Sequence, residues 1–347
     1  MAVMPKITES KGKKMKYCFI INPRAGKGKF VDRIKGDVKN ACEKKGISYD
    51  IFVSEKVEDT HTYIKELAQS DGEELSFIAC GGDGTLCQTI HSVMSLPDKR
   101  RENVAVGVIP IGTGNDFVSN FDPKETFFDI DAQLSSTIYN VDLIKCNDTY
   151  SVNMVNVGFD SHVVCTKEKI GRKKWVPRKL AYIFSLVLTL VKKPGLNVDI
   201  SCDGKEAVHH KLLLTTLANG AFCGGGFNSN PLASLTDGMI DMLTVTNMSR
   251  RKFIMLVGDY KKGTHLGEKF KNIVENFKCS CVDLQFSEET PVSVDGEIVR
   301  TDKLSLSVEQ GALRFLLPKG VLPKVKALCE KIEREIADAI SPETAEV

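Results

Sequence analysis

Ser76-Phe-Ile-Ala-Cys-Gly-Gly-Asp-Gly-Thr85, continued by Leu86-Cys-Gln-Thr-Ile-His-Ser-Val-Met94, is an apolar run, a glycine turn and an amphipathic helix in succession. Leu86, Ile90 and Val93 fall on one face of that helix. Gly81, Gly82 and Gly84 carry no Cβ, so the backbone there turns sharply and comes close to a ligand. The first N–H groups of a helix have no partner within it and sit at the positive end of its dipole. Such a turn suits an anion, phosphate above all. Asp83 stands among these donors, and a carboxylate beside phosphate calls for a cation between them; magnesium has the right chemistry. Taken alone, the stretch serves equally well as an ordinary strand-to-helix turn with Asp83 as its cap.

The same pattern recurs on both sides of it. Lys16 to Ile21 predicts a first strand, ending in the glycine-basic loop Asn22-Pro-Arg-Ala-Gly-Lys-Gly-Lys29 and a helix with Ile34, Val38 and Ala41 at helical spacing. The loop is not a Walker A sequence, and Val31 stands where a dinucleotide fingerprint has its third glycine. A strand (Ser48 to Val53) and a helix (about Thr60 to Gln69) follow. Beyond the central turn, Val104-Ala-Val-Gly-Val-Ile-Pro110 is apolar almost throughout, as in a strand buried on both faces. It opens into a third turn, Ile111-Gly-Thr-Gly-Asn-Asp-Phe117, carrying a second acid, Asp116. Strands alternating with helices imply a parallel sheet whose carboxyl ends share one edge, where ligands bind. Three glycine turns and two acids therefore converge there.

After about Asp122 the pattern changes to short strand-like runs, several joined by Asp-Gly or Asn-Gly turns. Helices are expected near Arg178–Val191 and Arg250–Lys262. This predicts a β-rich second domain, a sandwich, over residues 136–318. Val325, Leu328, Ile332, Ile336 and Ile340 then line one face of a closing helix, whose expected berth is the first domain. That domain would comprise residues 16–135 plus 319–347, so the fold class is α/β plus β: a parallel-sheet nucleotide-binding domain, a β-sandwich, and a helix returning to the first unit.

Bulk composition is that of a globular protein, with 42% hydrophobic and 27% charged residues, and 347 residues suit two domains. A net charge of +2 argues against a nucleic-acid partner. The eleven cysteines are scattered, without paired C-x-x-C spacing, and read as buried thiols of a reducing compartment. Residues 1–16 have no apolar core of a signal peptide. The longest apolar run, the twelve residues Leu180 to Val191, falls short of the roughly 20 that span a bilayer. A cytoplasmic location is expected. Lys167 to Lys179 holds seven basic residues, one acid and the only Trp, Trp175; this suits transient contact with an anionic bilayer surface and equally a solvated loop.

Asn22-Pro-Arg-Ala-Gly26, Gly81-Gly-Asp-Gly-Thr85 and Pro110-Ile-Gly-Thr-Gly-Asn-Asp-Phe117, in that order, resemble the diacylglycerol kinase catalytic family. Ala218-Asn-Gly220, Gly224-Gly-Gly-Phe227, Asp237-Gly238 and Asp295-Gly-Glu297 extend the likeness through the second domain, over about residues 16–320. It is nearest to the bacterial lipid kinases, which are similar to sphingosine and ceramide kinases; the Gly-Gly-Asp-Gly element is shared with NAD kinases. The resemblance implies an ATP- and Mg2+-dependent lipid kinase, acting on diacylglycerol or a related lipid alcohol in a cleft between two domains. It places Asn22 and Thr85 at the nucleotide, and Gly81, Gly82, Gly84 and Lys27 at its phosphates. Gly112, Thr113 and Asn115 would lie in the nucleotide cleft, and Asp83 and Asp116 in the magnesium network. Asp295 would be the base, with Glu297 beside it, and Asp237 with the Met239 backbone would hold a second, structural magnesium. A lipid membrane is the implied partner, and a homodimer is open.

Two departures stand out. Cys87 and Gln88 occupy positions where the family usually has Asn-Glu, and Ser119 replaces a common Arg. An NAD kinase is the nearest alternative, though the Asn-Glu pair of that family occurs nowhere in this chain. A nucleotide-responsive regulator that kept the fold without catalysis is the other; Asp83, Asp116 and Asp295 speak against it.

Overall fold

The computed structural model describes residues 15–69, 73–171, 195–246 and 248–324. In the first half, strands β1 (Met15–Ile21), β2 (Tyr49–Val53), β3 (Glu74–Gly81) and β4 (Val104–Pro110) alternate with helices α1 (Val31–Lys45), α2 (Val57–Ala68), α3 (Asp83–Met94) and the short α4 (Asp98–Arg101). The four strands pair in parallel in the order β4-β3-β1-β2. Strands β3 and β4 are buried along nearly their whole length, because helices cover both faces of the sheet. Ile34, Val38 and Cys42 of α1 pack on one face, and Leu86, Ile90 and Val93 of α3 on the other. All four strands run the same way, so the glycine turns after β1, β3 and β4 emerge at one edge.

The second half is antiparallel. A short β5 (Phe121–Asp122) and the helical turn α5 (Ile130–Gln133) lead into β6 (Thr137–Cys146), β7 (Thr149–Ser151) and β8 (Met154–Gly158). Helix α6 (Phe159–Gly171) comes next, followed by β9 (Leu196–Cys202), β10 (Val208–Ala218), β11 (Phe222–Cys223), β12 (Phe227–Asn228) and β13 (Ile240–Thr246). Helix α7 (Arg250–Lys262), β14 (Val274–Cys279), β15 (Cys281–Val294), β16 (Glu297–Leu317) and β17 (Leu322–Pro323) complete the described chain. Strand β9 pairs with both β10 and β15, folding the sheet over a core that includes Val155, Leu217, Met242, Leu284 and Leu306. The result is a β-sandwich, whose long strands bend from layer to layer at register shifts in β10, β15 and β16.

Strand β16 is where the two units join. Its far end pairs antiparallel with β6, and Phe315 meets Val106 of β4 in parallel. Phe315 sits in the core of the α/β unit against Phe117, Phe121 and Phe127, with Tyr139 and Val141 of β6 beside them. Strands β6 and β16 thus serve both cores, and one 13-stranded sheet runs through the molecule. After β16 the chain turns back onto the first unit, where β17 pairs with β5. The rest of the expected closing helix, from residue 325, lies outside the described residues, as do the helix expected near Arg178–Val191 and most of the basic segment with Trp175.

Several runs that the sequence separates are continuous here. Cys281–Phe286 and Pro291–Val294 are one strand, β15; Leu304–Val308 and Leu313–Leu317 belong to β16. Helix α6 has no counterpart in the sequence reading, because its buried stripe is narrow: Phe159 and Val163 reach the core. Cys18, Cys42, Cys80, Cys146 and Cys279 are buried thiols, and no helix among the described residues is long and apolar enough to cross a membrane.

Candidate active site

The turns after β3 and β4 pack backbone to backbone. A Cβ on Gly112 would stand 2.4 Å from the Cα of Gly82, and one on Gly82 would stand 3.1 Å from the Cα of Gly112. Only glycine at both positions lets the two loops meet. The Gly112 N–H donates to the Gly81 carbonyl, and Asn115, at φ 56°, donates through Nδ2 to the carbonyls of Pro110 and Gly112. Asn115 is therefore a brace of the turn. Its Oδ1 is buried without a hydrogen-bond partner.

Helix α3 starts at this junction with no side chain capping it. Thr85 is buried, and its Oγ1 accepts from Nδ2 of Asn22 at 3.0 Å, tying the loop after β1 to the central turn. Gly81 must lack a Cβ for this, since one would stand 2.2 Å from that oxygen. Thr113 lies exposed at the rim. Lys27 belongs to the loop after β1, but its side chain is outside the described part.

Asp83 and Asp116 flank Gly114. A Cβ there would lie 2.9 Å from Oδ2 of Asp83 and 3.6 Å from Oδ2 of Asp116. Oδ1 of Asp83 accepts from the Phe117 N–H at 3.2 Å. Burial, then repulsion by Asp116, pushes the Asp83 carboxyl up to about 6, against the pull of the amides of residues 115–117. A carboxyl whose ionisation is opposed by burial and by a neighbouring acid is what a divalent cation relieves, so Asp83 and Asp116 fit magnesium. Asp116 also reaches across to the second unit: it accepts from the N–H groups of Gly225 (2.9 Å) and Gly226 (3.0 Å). The Gly224–Gly226 run sits at φ 60°, 82° and 103°, which aims these donors. The sequence displayed that run but not its target.

From the sandwich, β15 and β16 deliver the Asp295-Gly296 turn. Asp295 has φ 47° and Gly296 φ 94°, a two-residue hairpin of the primed type, with Val294 paired to Glu297. Hairpin and site are the same object. Oδ1 of Asp295 accepts from Ser151 Oγ (2.7 Å) and from the N–H groups of Asn153 (3.1 Å) and Met154 (2.8 Å). Oδ2 accepts from the Val152 N–H (2.8 Å) and from the thiol of Cys87 (3.2 Å) on α3. Cys87, a family departure, thereby links the two units. Glu297 reaches the turn itself: its Oε1 lies 3.5 Å from the position of a Cβ on Gly84. The Asp203-Gly204 turn, which the sequence treats as a plain hairpin, uses its carboxylate in a similar way, accepting from Ser280 and Cys281 far from the cleft.

Neighbouring asparagines hold the cradle. Asn219 donates to the carbonyls of Asp142 and Val152, and Asn120 bridges the units through Ala221 N–H and Asn153 Oδ1. At the second expected metal position, Asp237 Oδ1 accepts from the Met239 N–H and its Oδ2 pairs with Lys278.

Comparisons with known proteins identify the two units that meet here. Residues 16–146 match the profile described as diacylglycerol kinase catalytic domain, and residues 153–317 match the YegS C-terminal NAD kinase beta sandwich-like domain. The chain belongs to the diacylglycerol kinase catalytic family. Among the family's members, a diacylglycerol kinase of Staphylococcus carnosus is 28% identical, covering 80% of this chain and 87% of its own. A protein of Chromohalobacter salexigens named "Probable lipid kinase YegS-like" is 26% identical, over 70% of this chain and 76% of its own. A crystal structure from Bacillus anthracis titled as a diacylglycerol kinase superposes with TM-score 0.67 at 19% identity, over 90% of this chain and all of that one. Another from the same organism gives 0.71 at 22%, over 90% and 98%. These structural likenesses establish the family's two-domain fold: an α/β unit followed by a β-sandwich.

Proposed function

We propose that this lipid kinase homologue transfers the γ-phosphate of ATP to the hydroxyl of diacylglycerol or a related lipid alcohol, at a bilayer surface, with magnesium held by Asp83 and Asp116. The observation that carries the reading is the meeting of three parts: paired glycine turns, an Asp83–Asp116 pair beside Gly114, and the Asp295–Glu297 hairpin facing Gly84. Bound there, the cation would neutralise phosphate charge. Phosphoryl transfer runs through a loose, charge-rich transition state, so alignment and neutralisation do most of the work. The start of α3 offers its dipole and the glycine turns their close backbone approach.

Asp295 and Glu297 divide the acceptor side. The five donors on Asp295 use up the roughly four lone-pair sites of a carboxylate. Three of these donors crowd Oδ1 and two meet Oδ2, so release of the weakest, the Cys87 thiol on Oδ2, frees a lone pair there for the acceptor hydroxyl and later its proton. Glu297, exposed beside Gly84, orients the incoming oxygen. Labelled ATP presented to a panel of lipid alcohols in mixed micelles, with NAD as a competing acceptor, tests this. Label in a chloroform-soluble phospholipid, lost in Asp83→Asn, is expected. Label in NADP with none in lipid refutes it.

A further inference from the structure

The oxygens of the corner around Asp237 already face a cation of the chain's own. Its carboxylate already accepts the Met239 N–H through Oδ1, and Oδ2 stands 2.5 Å from Nζ of Lys278. Lys278 lies on β14 directly opposite Asp241 of β13, and its Nζ is 3.2 Å from Oδ2 of that residue. Asp241 is fully buried. The loop between Asp237 and Met239 is held from its other side as well: Asp142 accepts from the N–H groups of Gly238 and Gly311, both at 2.7 Å.

We infer that Lys278 is the resident cation of this corner: its ammonium bridges Asp237 and the buried Asp241 where a structural divalent ion would otherwise sit. An ammonium supplied by the chain cannot be lost to a chelator, and its three donors suit two carboxylates facing one point. A buried carboxylate without its counter-charge is costly, so Asp241 needs a cation whenever it is ionised. Removing the lysine leaves two acids with oxygen donors turned to one space, the chemistry that binds a hard divalent ion. Lys278→Ala should therefore open a cation site that the natural chain lacks.

The test is thermal unfolding of the full chain, with EDTA and with millimolar Ca2+, for the natural protein, Lys278→Ala, Lys278→Arg, Asp237→Asn and the Lys278→Ala/Asp237→Asn double variant. Lys278→Ala is expected to unfold on the order of 5–10 °C lower in EDTA. Ca2+ should restore much of that loss, and the restoration should vanish in the double variant. Lys278→Arg keeps the charge and should fold and melt near the natural protein, which keeps the test open if Lys278→Ala does not fold. Three results overturn the inference: a Ca2+ response of the natural protein that Asp237→Asn abolishes, a Lys278→Ala variant as stable in EDTA as the natural protein, or a destabilised one that Ca2+ does not rescue. If Lys278→Ala does not fold, a loss in Lys278→Arg as large as in Asp237→Asn also overturns it.

Discussion

Replacing Asp295 by Asn separates two duties of one carboxylate. The substitution keeps the shape but leaves one acceptor oxygen and puts an NH2 group where the other stood. With the amide oxygen placed toward Ser151, Asn153 and Met154, the NH2 faces the Val152 N–H and the Cys87 thiol, donor against donor. The three remaining bonds lose their charge assistance, roughly halving each. An orphaned N–H costs about 1–3 kcal/mol, and water can reach part of this half-buried site, so a net loss of about 2–4 kcal/mol is expected. Glu297→Gln, at an exposed side chain with no such cradle, should stay within about 0.5 kcal/mol. Urea unfolding followed by circular dichroism reads both, through the midpoint at unchanged slope. Assayed well below its midpoint, Asp295→Asn should still bind ATP while turnover falls on the order of 10²–10⁴-fold. Natural stability in Asp295→Asn would refute the cradle, and near-normal turnover would remove the residue from the chemistry.

Two further outcomes follow from the same geometry. The Asp83 carboxyl titrates near 6 when folded and near its ordinary value of about 3.9 when unfolded, so the folded state binds the extra proton. Stability measured in EDTA should therefore fall as pH rises from about 4 to 6 and level off above, and Asp83→Asn should flatten that slope; Asp241, also pushed up to about 6 by burial, and Asp142, raised by burial as well, contribute to what remains. Gly112→Ala drives a Cβ into the Gly82 backbone and should cost more than about 3 kcal/mol or prevent folding, whereas Gly82→Ala should cost about 1–3 kcal/mol; comparable urea midpoints for the two would refute the packing of the turns.

Much of the α/β unit was legible because its determinants are local. Apolar runs of strand length, helices at 3.6-residue spacing and glycine turns after β1, β3 and β4 need no tertiary knowledge, and parallel pairing then brings Asn22, Asp83 and Asp116 to one edge. The motifs Asp295-Gly-Glu297 and Gly224-Gly-Gly were visible as well, with their partners hidden. Thiol to carboxylate between Cys87 and Asp295 spans 208 residues, and Gly225 to Asp116 spans 109. Helix α6 escaped notice because, among its described side chains, only two apolar ones, Phe159 and Val163, are buried, too few for a periodic stripe.

By itself, the sequence determined which residues could carry phosphate chemistry, the alternation that makes a parallel sheet, and the change to antiparallel strands after residue 122. Tertiary structure alone decided that β16 threads both cores, that Asp295 is encircled by donors, and that Lys278 faces Asp237 and Asp241. The physical reason is range. Backbone preference and hydrophobic period act over a few residues and are written along the chain, whereas a buried charge takes whatever partner the packed strands bring to it.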